Sequence, residues 1–114
     1  MGKYESRLQG DFDDFLRFLE NGIMNGSISA SFEEGSDFGK NGVRCAVRAY
    51  ERYSMMGSSR VSLSFVLIGV DKELFITVIS TGGSQAIFFK INTIGEKSFL
   101  QSAVDIIEEY KHCK

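Results

Sequence analysis

The stretch Asn41-Gly42-Val43-Arg44-Cys45-Ala46-Val47-Arg48-Ala49-Tyr50-Glu51-Arg52 decides the fold class. Asn-Gly favours a two-residue type I′ hairpin turn, because both residues tolerate positive φ. The chain then alternates. Val43, Cys45, Val47 and Ala49 share one side of an extended strand, and Arg44, Arg48 and Arg52 share the other with Tyr50. A period of two after a hairpin turn identifies an antiparallel sheet with unlike faces. This reading predicts that the Val43–Ala49 side enters the core, with Cys45 as an inert buried thiol, and that the arginine side faces water.

Working back from this strand, Ser27 to Glu33 also alternates, with Ile28, Ala30 and Phe32 against Ser27, Ser29, Ser31 and Glu33. A polar connection over 34–40 follows it. Further back, Lys3 to Leu8 reads as a short strand. Asp11 is a good helix N-cap, and Asp13 and Asp14 fall in the first turn, where the helix dipole favours anions. Phe12, Phe15, Leu16, Leu19 and Ile23 recur at helical spacing and form one face, widened by Phe18. Asn21-Gly22 and Asn25-Gly26 are both stop signals, one turn apart.

Working forward, 54–59 reads as a loop. Arg60 to Val70 is a strand with Val61, Leu63, Phe65 and Leu67 opposite Arg60, Ser62 and Ser64. From Phe65 to Ile68 this strand is apolar on both sides, so something should cover its outer face near Val66 and Ile68. Asp71-Lys72-Glu73 is a turn, and Leu74 to Thr81 suits a central strand. Gly82-Gly83-Ser84 interrupts it, and Gln85 to Ile91 resumes a strand pattern. Thr93 and Glu96 form a capping box before a last helix with Phe99, Leu100, Ala103, Ile106, Ile107 and Tyr110 on its apolar face.

The expected fold is α+β: one domain over 1–114, with a curved antiparallel sheet of five to six strands and two helices on one face. The order is β-α-β-β-β-β-β-α. In element order this is similar to TATA-binding-protein-like or helix-grip arrangements, which says nothing of function. The chain has ten Phe, no Trp and no Pro, so Phe supplies the bulk of the core and Gly, Asn, Asp and Ser make the turns. The net charge of −2 gives no general attraction to nucleic acid or membranes. The charge is nonetheless segregated: residues 1–39 carry three basic and eight acidic side chains, whereas 40–60 carry five basic and one acidic. No apolar run approaches the ~20 residues of a membrane helix. The two cysteines, Cys45 and Cys113, suggest neither a disulfide framework nor a zinc site. The cytoplasm is therefore the expected setting, with no membrane, metal or cofactor.

The arginine side is the most specific candidate site. Arg44, Arg48 and Arg52, with Arg60 joining from the next strand, offer planar, bidentate recognition of phosphate or carboxylate, and Tyr50 adds a stacking surface. The plain alternative is a solvated sheet face neutralised by Glu33, Glu51 or the acidic first third. The turn Gly82-Gly83-Ser84-Gln85 is the second candidate, because consecutive free N–H groups can nest an anion there. It lacks the helix and lysine of a P-loop, and a hairpin turn explains it equally well. No catalytic set emerges. The single histidine, His112, lies near the end of the last helix, and Asp11, Asp13 and Asp14 are explained by the helix N-terminus.

The segments Arg44-Cys45 through Tyr50-Glu51-Arg52-Tyr53 and Gly82-Gly83-Ser84-Gln85-Ala86 through Phe88-Phe89-Lys90-Ile91-Asn92-Thr93 carry a resemblance. Over nearly its full length the chain resembles a family of short uncharacterised Firmicutes proteins known only as a domain of unknown function. The resemblance implies a cytosolic bacterial protein and carries over no catalytic residue. The leading expectation is a non-catalytic binding module that uses Arg44, Arg48, Tyr50, Arg52 and Arg60, with Gly83, Ser84 and Gln85 nearby. Its partner would be an anionic small molecule, another protein or a second copy of the chain, with nucleic acid disfavoured. The alternatives are a small enzyme with a pocket between sheet and helices near the Gly82-Gly83-Ser84-Gln85 turn, and a structural homo-oligomer subunit.

Overall fold

A computed structural model describes residues 2–26, 29–53, 60–82 and 98–113. Five strands and two helices are described: β1 (Gly2–Gln9), α1 (Phe12–Asn25), β2 (Ser31–Lys40), β3 (Val43–Tyr53), β4 (Arg60–Val70), β5 (Glu73–Gly82) and α2 (Phe99–Cys113). The strand predicted over Gln85–Ile91, the capping box at Thr93 and Glu96, the loop over 54–59 and the start of the Ser27 strand lie outside the described residues. β2 to β5 form an antiparallel meander, and β1 pairs antiparallel with β5, giving the order β1-β5-β4-β3-β2. β4 is therefore the middle strand, and α1 carries the chain across the sheet from one edge to the other.

The helix stripes bury as their spacing requires. Phe12, Phe15, Leu16, Leu19 and Ile23 of α1 and Phe99, Ala103, Ile107 and Tyr110 of α2 meet Leu63, Phe65, Leu67, Leu74, Ile76 and Val78 of the sheet. Asp11 caps α1, its carboxylate accepting from the Asp14 N–H at 2.9 Å. The helix runs through the first stop signal to Asn25, and α2 packs closely on Gly22: a Cβ there would stand 2.8 Å from Ile106. Gly69 likewise makes room for Phe12, whose ring would lie 2.6 Å from an added Cβ. Asn41 and Gly42 both take positive φ, and Lys40 pairs with Val43 across the two-residue turn.

Two readings of the meander need correction. The segment 34–40 is not a polar connection. It is most of β2, which continues directly into the turn. As an edge strand with one neighbour it needs no apolar face, and a bulge between Phe32 and Glu34 resets its alternation. The second correction concerns β3. Ala46, Arg48 and Tyr50 are buried under the helices, while Val43 is 41% exposed and Cys45, Val47 and Ala49 are half-buried on the opposite side. The alternation is as predicted, but the faces are exchanged. β4, β5 and β1 explain why. Their bulkiest apolar residues share one side, and the register Tyr50↔Leu63, Arg48↔Phe65, Ala46↔Leu67 places the arginine side of β3 on it. A slip of one residue to correct β3 would turn every neighbour inside out. Among the described residues no helix is long and apolar enough to cross a membrane.

Candidate functional site

The arginine row is the polar margin of the helix layer. Arg44 donates to Asp13 at 2.8 Å and its guanidinium lies 4.4 Å from the Phe12 ring centre. Arg48 reaches further along α1, to Glu20 at 2.6 Å. Arg52 stacks over Phe99, at the start of α2, at 4.7 Å. One strand thus pins both helices. The spacing allows it, since a four-residue step in a strand covers about 13 Å. The seven-residue step from Asp13 to Glu20 covers about 10 Å along one helix face.

Arg48 is the most constrained of the three. Its Nε donates to Glu20, one terminal nitrogen to the carbonyls of Ser36 and Val47 at 3.2 and 3.0 Å, and the other to both oxygens of Asp37 at 3.0 and 3.3 Å. A guanidinium has three nitrogens that donate, and here each of them has a protein acceptor. Burial works against its charge, but the bonds to Glu20 and Asp37 outweigh burial and raise its pKa above the ordinary arginine value. Arg44 in turn holds the Asp13 carboxyl below the usual carboxylate range. Tyr50 is 2% exposed, stacked on Phe65 and edge-on to Phe32. Burial, then the nearby Glu20 charge, pushes its hydroxyl up to about 12. It offers no open stacking surface.

Arg60 does not join this row. It pairs with Tyr53 across β3 and β4, which puts it on the opposite face, where it meets Glu51 and lies 5.6 Å from the Tyr53 ring centre. Ser62 and Ser64 share that face. Ser62 hydrogen-bonds to Thr81 at 2.6 Å. Gly83, Ser84 and Gln85 lie outside the described residues. Ser80 and Thr81, the polar residues of β5 just before that turn, point to opposite sides of the strand. A recess of about 210 Å³ is described at the other end of the sheet, lined by Arg7, Leu8, Gln9, Glu73, Leu74 and Phe75. Among the described residues no three His, Cys, Asp or Glu side chains gather as a metal site.

The face away from the helices is the other candidate. The strand register lays it out in rows. Phe38, Cys45, Ile68, Phe75 and Arg7 form one row across the five strands. Ser36, Val47, Val66, Thr77 and Glu5 form the next, and Glu34, Ala49, Ser64, Ile79 and Lys3 the third. Beyond the first row lie Lys40, Val43, Val70, Glu73 and Gln9. The middle of this grid is apolar and its two edges are charged. Phe38 is 64% exposed, and Val43, Ile68, Val70 and Ile79 are each more than a third exposed. Neither described helix touches this face. Sequence reading flagged its Val66 and Ile68 end but missed Phe38, Phe75 and Ile79. It also missed Glu20 and Asp37 as arginine partners. The matching spacings of Asp13/Glu20 and Arg44/Arg48 carried a signal for the former.

The family model matching residues 1–111 is described as a family of unknown function, DUF6054. No curated protein matches the chain. Among solved structures, a Pseudomonas aeruginosa protein of unknown function, PA94, described only as a candidate regulator, is similar at 14% identity with a TM-score of 0.55. The similarity covers 81% of this chain and 64% of PA94, so the chain spans under two thirds of that protein, and the likeness is one of fold. By the match over residues 1–111, the chain belongs to the DUF6054 family.

Proposed function

We propose that this member of a family of unknown function is a non-catalytic, cytosolic binding module that engages a protein partner through the outer face of its sheet. The observation that carries the reading is the exposed apolar stretch of that face, from Phe38 on edge strand β2 through Ile68 to Ile79, left uncovered by both helices. Apolar sheet surface at that degree of exposure, rimmed by charge, marks an interaction surface rather than an ordinary solvated face. The anionic-ligand reading of the arginines has less behind it, because Arg44 and Arg48 are engaged by Asp13, Glu20 and Asp37. A cytosolic setting suits the described cysteines, both free. The element order is compatible with a TATA-binding-protein-like or helix-grip description, neither of which bears on this reading.

Cys45 sits in the middle of the outer face and provides the test. In a Cys113→Ser chain it is the single thiol, and its alkylation reports whether the face is open. Open-face behaviour is alkylation of the folded, dilute chain at a rate near that of an accessible thiol. Protection of Cys45 while the chain sediments as a monomer would mean that the chain covers the face itself, and the reading would be abandoned. A companion thermal-shift series with inorganic phosphate, citrate and ATP should leave the transition unmoved. A shift that disappears in Arg60→Ala would return the anionic ligand to first place.

A further inference from the structure

The two edges of the sheet differ in chemistry. β2 is irregular: a bulge interrupts its pairing between Phe32 and Glu34, and Glu33, Glu34 and Asp37 make it predominantly acidic. A bulge and a run of like charge both discourage pairing with another copy. β1 has neither. It pairs with β5 without a break from Gly2↔Ser80 to Gln9↔Glu73, and its charges Lys3, Glu5 and Arg7 alternate in sign along the outer face. Among the described residues its other edge has no neighbour.

The backbone groups that this edge presents follow from the ladder. The Gly10 N–H donates to the Lys72 carbonyl at 3.0 Å, extending the β1–β5 pairing by one step. Bonded and non-bonded pairs alternate in an antiparallel ladder. The even-numbered residues of β1 therefore bond to β5, and the N–H and C=O groups of Lys3, Glu5, Arg7 and Gln9 point out of the sheet.

We infer that this edge pairs with the same edge of a second copy of the chain, antiparallel, about a two-fold axis at Ser6 perpendicular to the sheet. A two-fold contact must be self-complementary, and this register is. It sets Lys3 opposite Gln9 and Glu5 opposite Arg7, so every outward N–H and C=O of β1 finds its counterpart. On the outer side each Glu5 meets an Arg7. On the helix side Tyr4 meets Leu8, and the two Ser6 residues meet at the axis. There Lys111 donates to Ser6 at 3.0 Å and stands 3.5 Å from Glu108, so the positive charge near the axis brings its own counter-charge. Other registers are worse. A shift of two residues one way sets Glu5 on Glu5 and Lys3 on Arg7, and the other way it sets Arg7 on Arg7. Larger shifts pair little more than half of the strand at most. Pairing β1 with the partner's β2 would have to cross the bulge and would grow as an open chain instead of closing. The two-fold arrangement leaves the outer face uncovered and joins the faces of the two copies into one continuous sheet.

Sedimentation of the full chain, from nanomolar to hundreds of micromolar, should show a monomer–dimer equilibrium with Cys45 reactive in both forms. Glu5→Pro deletes an N–H that β5 does not use, a change an edge strand tolerates. It should weaken association at least about tenfold with an unchanged circular dichroism spectrum. Glu5→Arg and Arg7→Glu each set like charges opposite one another and should each weaken association about tenfold. The double variant exchanges the two charges and should return to within about threefold of the wild type. A wild-type chain that stays monomeric throughout would overturn the pairing and leave the outer-face reading standing. A dimer in which Cys45 becomes protected, or one in which the Glu5 and Arg7 amides exchange as fast as in the monomer, would place the contact elsewhere and overturn it too. A dimer that the single charge changes weaken and the double variant does not restore would overturn the register.

Discussion

The two sides of β3 are one residue apart in sequence and opposite in kind. Arg44, Arg48 and Arg52 lie on the side that meets the helices, yet two of them find their carboxylates there and two their aromatic rings. Val43, Cys45 and Val47 lie on the side that no described helix covers. Polarity alone would assign these sides the other way. The difference teaches that a sheet chooses its core face collectively. Three strands with bulky residues on one side outvote a fourth. An arginine so placed is tolerated when its stem packs on apolar groups and its nitrogens find acceptors.

The largest effect should come from the side that closes the core. Phe15 and Leu67 are fully buried. Phe15→Ala and Leu67→Ala should each cost about 3–5 kcal/mol in urea denaturation. If an equivalent truncation at Val47 cost as much, the proposed inequality of the two faces would be gone.

The arginine row ranks next. Arg48→Met keeps much of the stem but leaves Glu20 and Asp37 without their cation. The cost should be about 2 kcal/mol, less than for a fully buried pair because Asp37 remains largely exposed. Glu20→Gln should lower that cost when the two are combined. A coupling below about 0.5 kcal/mol in the double-mutant cycle would show that the row decorates the helix margin instead of fixing it.

How much of this could be seen in the residues divides along the same line. Local rules were sufficient wherever one element decides its own fate. The α1 stripe, the Asp11 cap, the Asn41-Gly42 turn and the alternation of β4 all follow from neighbours within a few residues. The end of α1 did not: the helix passes through Gly22, where Ile106, from far along the chain, packs on it. The side on which β3 buries was illegible for the same reason, being set by register with β4 and β5. Arg60 was expected to join the arginine side from the next strand, but antiparallel pairing with Tyr53 puts it on the outer side. Glu20 and Asp37 look like ordinary surface carboxylates until the tertiary contact brings Arg48 between them.

The buried tyrosines give the pH dependence of the helix side. Burial leads the rise of the Tyr50 and Tyr110 hydroxyls to about 12, aided at Tyr110 by its bond to Asp14. An unfolded tyrosine ionises near 10, so their contribution is fully present below about pH 10 and is lost as pH rises toward 12. Tyr110→Phe should flatten part of that loss in denaturation curves taken from pH 9 to 12. Asp13 and Glu108 behave in the opposite sense. They are held low chiefly by hydrogen bonds from Arg44 and Tyr4 respectively, so their contribution is present at neutral pH and fades as pH falls below about 4. An acid limb unchanged in Arg44→Ala would remove Asp13 from that account.

The smallest effect should come from the outer side, and it is the most informative for the comparison. Ile68→Thr keeps a β-branched side chain suited to a strand and removes apolar surface that is already 37% exposed. At a concentration where the chain sediments as a monomer, the loss of folding stability should stay within about 1 kcal/mol. The same substitution placed on the inner side of β4, Leu67→Thr, should cost several times as much. If Ile68→Thr instead matches Leu67→Thr in the monomer, Ile68 is already packed within its own chain. The outer face would then be a second core, and its exposed apolar rows would need no partner.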